Sequence, residues 1–119
     1  MVADTRTWEQ AAATALDAHE SVKRWVKNDH LGFVIPYRKD GVRRRYLPDF
    51  IVELASGEHL VVEIKGQIGD AEIKAAAAHR WCNAVNNDGR FGNWSYRLVR
   101  NPADLTLLLD TLSRRATAA

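Results

Sequence analysis

Phe50-Ile51-Val52-Glu53-Leu54-Ala55-Ser56-Gly57-Glu58-His59-Leu60-Val61-Val62-Glu63-Ile64, entered through Tyr46-Leu47-Pro48-Asp49 and left through Lys65-Gly66, is the stretch on which the fold turns. Two apolar runs flank Ala55-Ser56-Gly57, a hairpin loop in which Gly57 takes the left-handed position without a Cβ clash. With Leu54 opposite Glu58, the register sets Val52 against Leu60, Phe50 against Val62 and Asp49 against Glu63. Side chains alternate along a strand, so Phe50, Val52, Leu60, Val62 and Ile64 share one apolar face, while Asp49, Glu63 and Lys65 share the other. The turn sets this register, and the hydrophobic pattern agrees with it.

Two acids and a lysine on one patch of a hairpin suit a hard cation. Mg²⁺ takes oxygen ligands from one or two carboxylates and fills its other positions with water and phosphate oxygens, and Mn²⁺ can substitute. Asp49 and Glu63 are the expected metal ligands, and Lys65 is placed to orient a water or to steady charge on a phosphate. Without a cation the two carboxylates repel, a cost that a purely structural role does not explain.

The rest of the chain supplies a frame. Trp8, Ala12, Ala15, Leu16, His19, Val22 and Val26 recur at helical spacing, which predicts a long first helix from Thr7 to about Lys27, with Thr7 and Gln10 as a capping box. Gly32 to Tyr37 reads as a strand, edge-like because of Pro36. The two hairpin strands follow. Asp70 to about Asn86 reads as a helix capped by Asp70, Ser95 to Arg100 as a strand, and Pro102 to Arg115 as a last helix with a Leu105, Leu108, Leu109 and Leu112 stripe. The order α-β-β-β-α-β-α predicts an α/β fold, a mixed four-stranded sheet flanked by helices, with three strands in an antiparallel meander and the fourth joined by a crossover.

Pro48-Asp49 followed by Glu63-Ile64-Lys65 at the end of an apolar strand resembles the PD-(D/E)xK nuclease superfamily. The wider run of Trp8-Glu9, Tyr37-Arg38, Tyr46 to Phe50, Glu63 to Gly66, Trp81, Ala84-Val85-Asn86 and Phe91-Gly92-Asn93-Trp94 resembles the C-terminal endonuclease domain of type III restriction enzymes. The resemblance implies an αβββαβ(α) restriction-endonuclease-like core and Mg²⁺-dependent hydrolysis of DNA phosphodiesters, leaving a 5′-phosphate and a 3′-hydroxyl. It also implies a helicase or translocase and a methyltransferase as partner modules. The superfamily often draws a further catalytic acid from the first helix. Glu9 and Glu20 are the candidates: Glu9 sits in the Trp-Glu pair that resembles type III domains, and Glu20 is preferred because its spacing before Gly32 resembles related resolvase-like nucleases.

Arg38, Lys39, Arg43, Arg44 and Arg45 crowd into eight residues upstream of Pro48. Carried on a turn at Lys39-Asp40-Gly41, they predict a track for double-stranded DNA beside the acids, although a solvated turn has the same composition. Gln67 and Lys74 follow the motif closely enough to join it. The four histidines lack ligand spacing, and Trp8, Trp25, Trp81 and Trp94 read as core rather than as stacking platforms.

A chain of 119 residues with 46% hydrophobic content is expected to form a single domain, 1–119, here part of a larger restriction protein. A single cysteine, Cys82, excludes an internal disulfide, no run spans a bilayer, and the expectation is cytoplasmic. A net charge of +2 does not by itself select nucleic acid. No Gly-x-x-x-x-Gly-Lys-Ser/Thr loop is present, which excludes a P-loop ATPase. A homodimer would be needed to cut both strands if each chain carries one site. The alternatives are a catalytically silent DNA-binding module on the same fold and an interaction domain whose hairpin acids are surface residues.

Overall fold

The computed structural model describes residues 5–28, 31–64 and 71–118, with side chains for 8–28, 31–64 and 72–114. The elements are α1 (Thr5–Ala18), β1 (Val22–Lys27), β2 (Ile35–Lys39), β3 (Val42–Tyr46), β4 (Phe50–Leu54), β5 (His59–Ile64), α2 (Ala71–Asp88), β6 (Trp94–Val99) and α3 (Pro102–Ala118). A mixed four-stranded sheet runs β1-β4-β5-β6, and β2 and β3 form a separate two-stranded ribbon.

The central hairpin adopts the expected register, with Phe50 opposite Val62, Val52 opposite Leu60 and Glu53 opposite His59. Its turn is closed by Leu54 N–H to Glu58 O at 2.8 Å and Gly57 N–H to Leu54 O at 2.9 Å. Gly57 has φ 97°, the left-handed conformation that a Cβ disfavours. Strand β6 joins β5 in parallel through the α2 crossover, as expected.

Two expectations fail on the N-terminal side. The first helix stops at Ala18, and the residues read as its last turns form β1, antiparallel to β4. The predicted helical stripe runs on through Val22 and Val26, but Val26 is exposed, and a bulge at Lys23, with Val22 facing Leu54 and Arg24 facing Glu53, instead brings Val22 and Trp25 to the same core three residues apart. A bulge thus imitates helical spacing. His19 ends the helix, its Nδ1 accepting from the Ser21 N–H at 3.2 Å and its Nε2 lying 2.7 Å from Asp110 Oδ1 on α3. The Gly32–Tyr37 strand does not enter the meander either. Its second half pairs with β3 through a two-residue turn at Asp40 (φ 54°) and Gly41 (φ 78°), the geometry that favours a left-handed pair. The meander is β1-β4-β5 instead. Thr7 lies inside the first helical turn rather than capping it, and Asp70 lies outside the described residues.

Each face of the sheet has its own core. Phe50, Val52, Leu54, Leu60, Val62 and Ile64 pack under Ala12 and Leu16 of α1 and Leu105, Leu109 and Leu112 of α3. Val61 and Tyr96 pack under Ala77, Ala78 and Cys82 of α2 together with Ile35, Tyr37 and Tyr46 of the ribbon. The helices therefore lie on both faces, and the ribbon shares α2's face. Phe50 has no exposed surface and meets Trp25 edge-on at 5.7 Å; its burial stabilises by about 2 to 3 kcal/mol. All four tryptophans pack against one of the two cores. Among the described residues, no helix is long and apolar enough to cross a membrane.

Candidate active site

Asp49 and Glu63 lie where β4 begins and β5 ends, on the face that carries the ribbon. Pro48 is fully buried, and Asn28 holds the backbone around it. The Asn28 N–H donates to Asp49 O at 2.9 Å, and its Nδ2 donates to Pro48 O at 3.0 Å and to Phe33 O at 2.8 Å. The Asp49 carboxylate in turn accepts from the Ile64 N–H at 2.8 Å. That bond takes the place of a ladder partner at the strand end and turns Asp49 toward Glu63.

The two carboxyls are close enough to act on each other, and without a cation their proximity disfavours ionising both. Burial, and next the charge of Asp49, push Glu63 up to about 8. Burial also raises Asp49, against the Ile64 N–H that favours its charged form. The Tyr46 hydroxyl hydrogen-bonds Glu63 and lies 3.2 Å from the Tyr96 hydroxyl. Burial and the charge of Glu63 hold Tyr46 far above the ordinary phenol range, so it remains a neutral donor. Lys74 Nζ sits 5.4 Å from the centroid of the Tyr46 ring, and its charge favours ionised Glu63.

The structure thus gathers Asp49, Glu63 and Lys74. Lys65 and Gln67 lie outside the described residues. Glu20 stands elsewhere: it follows the end of α1 and lines a hollow with Leu54, Ala55 and Ser56. That is the turn end of β4, about 17 Å of strand from Asp49. Glu9 is the helix acid on the Asp49 side, where its charge raises the Asp49 pKa and its Oε2 meets Lys27 Nζ at 2.8 Å. Glu20 counts as a helix acid only if the helix runs to about Lys27, whereas α1 ends at Ala18 and Glu20 lies beyond it, at the turn end of β4.

No match is found among protein-family models, curated proteins or solved structures. The site must be judged on its own chemistry. Among the described residues, no three His, Cys, Asp or Glu side chains form a group that could hold a metal ion. What is present is a pair of adjacent hard oxygen donors in a half-buried position, a donor set that a cation keeping most of its coordination for water could take.

The ribbon arginines do not converge on the acids. Arg38 and Arg43 face each other near the ribbon tip, and Arg44 and Arg45 are exposed along β3, which ends in Tyr46. Sequence reasoning assigned no role to Tyr46, Tyr96 or Asn28. Tyr46 stood inside the quoted motif, whereas Asn28 and Tyr96 come from distant segments that only the fold brings near.

Proposed function

We propose that this chain is a divalent-metal-dependent endonuclease domain that hydrolyses DNA phosphodiesters, with Asp49 and Glu63 holding Mg²⁺ or Mn²⁺. The observation that carries this reading is the carboxyl pair itself, two half-buried acids both raised by burial, with Glu63 raised further by the charge of Asp49. A buried like-charge pair costs stability, and a cation supplied with substrate reverses the sign of that interaction. When bound, the cation supplies positive charge at the attacked phosphate and acidifies the water beside it.

The protein's own groups have separable roles. The Ile64 N–H fixes Asp49, and the neutral Tyr46 hydroxyl fixes Glu63. Lys65, two residues beyond Glu63 in the sequence, is assigned to orient the attacking water, and Lys74 to steady charge beside Glu63. Glu9 replaces Glu20 as the acid assigned from α1. Setting the ribbon aside, the elements read α-β-β-β-α-β-α with sheet order β1-β4-β5-β6, an order that supports a restriction-endonuclease-like core of the PD-(D/E)xK kind. The reading extends to a type III restriction context, with duplex DNA as substrate and a translocase and a methyltransferase as partner modules.

Incubation of supercoiled plasmid with the purified chain and Mg²⁺, Mn²⁺ or EDTA tests the reading. Nicking that needs the divalent ion and disappears in Asp49→Asn and Lys65→Ala is expected. Undiminished nicking by either variant overturns the site. Duplex binding with no cleavage under any metal condition would instead favour a silent DNA-binding module.

A further inference from the structure

We propose that the hollow between the β2–β3 ribbon and α2, lined by Arg38, Arg43 and Arg80, is a phosphate-binding exosite that grips the backbone of a nucleic-acid strand away from the carboxyl pair. The proposal rests on the nuclease reading only for the choice of polymer; the hollow needs no metal.

The argument begins with charge pairing. Four cations elsewhere have acids, Lys23 and Arg24 meeting Glu53, Lys27 meeting Glu9 and Arg90 meeting Asp88. Arg97, Arg100 and Arg114 have no ion pair among the described residues, but the three do not gather around one hollow as the ribbon arginines do, and the hollow that Arg97 and Arg100 border also holds Asp104. Among the described residues no carboxylate pairs with Arg38, Arg43, Arg44, Arg45 or Arg80. Arg38 and Arg43 are also direct cross-strand partners, a placement in which like charges destabilise a ribbon. Nothing in the packing requires it, because both side chains are exposed while the neighbouring Tyr37 carries the burial.

The third arginine comes from another element. Tyr37 packs in the same core as Ala77 and Ala78 of α2, and Arg80 stands one helical turn beyond Ala77, on the exposed side. The three guanidiniums, with Pro36 and Tyr37, border a hollow of about 570 Å³, far more than one phosphate fills. Guanidinium forks match phosphate oxygens in pairs, and three with no internal acid select a polyanion. A polymer is favoured over a free phosphate because the hollow exceeds one phosphate and Arg45, two residues from Arg43, continues the same face of β3, while Arg44 lies on the face of Tyr37 and Tyr46.

The test is duplex binding in EDTA, where cleavage cannot contribute, by anisotropy of a labelled 30-base-pair DNA over a salt series. Wild type is compared with the triple variant Arg38→Gln, Arg43→Gln, Arg80→Gln and with a control, Lys23→Gln, Arg24→Gln, at an acid-paired patch. The triple variant is expected to lose on the order of 10- to 100-fold in affinity and to flatten the salt slope by roughly one for each phosphate left unneutralised, with the control unchanged. Wild-type binding and slope in the triple variant overturn the exosite, as do equal losses in the control. Polyglutamate competing as well as DNA also overturns it, since any polyanion would then serve. If the wild type never cuts with Mg²⁺ or Mn²⁺ but binding still depends on the three arginines, the nuclease reading falls and the exosite stands.

Discussion

Glu53 and Glu63 sit on the same face of the same sheet and meet opposite company. Glu53 is answered by Arg24 at 3.2 Å, Lys23 at 3.6 Å and His59 at 3.9 Å. Glu63 is answered by a second acid, and the nearest help is a neutral phenol and a lysine held over its ring. One carboxylate is neutralised from within the chain. The other has no ion pair among the described residues, and on the proposed reading it is a cation from outside the chain that would neutralise it.

The largest break in this contrast is catalytic. Glu63→Gln and Asp49→Asn should each lower plasmid nicking by about a thousandfold, whereas Glu53→Gln should change it by less than about threefold. Equal losses at Glu53 and Glu63 would erase the distinction. The next effect is on stability and has the opposite sign from most core changes. Because the folded state raises Glu63 to about 8 from an ordinary value of 4.5, its contribution is fully present below about pH 4.5 and lost as pH rises through about 8. Metal-free Glu63→Gln should therefore be more stable than wild type at pH 8, by on the order of 1 to 3 kcal/mol in thermal or urea unfolding. The advantage should disappear at pH 4 and shrink on addition of Mg²⁺.

Tyr46→Phe sharpens the comparison by removing the hydroxyl that orients Glu63. Nicking should fall about tenfold while stability moves by roughly 1 kcal/mol, read from matched nicking rates and urea midpoints. Glu9→Gln should lower nicking by a few-fold, about as much as an indirect acid contributes, and Glu20→Gln should leave it unchanged. A reversed order would restore Glu20. Smallest of all, Lys23→Ala should shift the unfolding free energy by less than about 0.5 kcal/mol, because its partner keeps Arg24 and the pair is exposed.

The hairpin was legible because two independent signals, a glycine turn and strict alternation, named the same register. The acid pair was legible with it. Strand β1 was hidden because Val22 and Val26 stand four apart and so continue a helical stripe, although Val26 is exposed and it is Val22 and Trp25, across the bulge, that reach the core. Strand β3 was hidden for a different reason: Val42-Arg43-Arg44-Arg45 buries nothing, so no apolar alternation announces it. Both omissions reached the site. The overlong first helix keeps Glu20 in view as a helix acid, and although the sequence predicts a hairpin turn at Lys39-Asp40-Gly41, the absence of a β3 strand from that reading leaves the pairing of Arg38 with Arg43 undrawn. Arg80 and Asn28 could not have been found from spacing, because each acts on a segment far along the chain.

The side chain of Asn28 has a consequence beyond holding Asp49. It bonds Phe33 and Pro48 together, so the chain leaves for the ribbon and returns from it through a neck closed by one amide. Closure entropy grows only slowly with loop length. Provided Ile35, Tyr37 and Tyr46 still fill their places under α2, the excursion between these two points is a cartridge: its tip can be lengthened, shortened or recharged, and a new substrate preference installed, while the strand bearing Asp49 stays where it is.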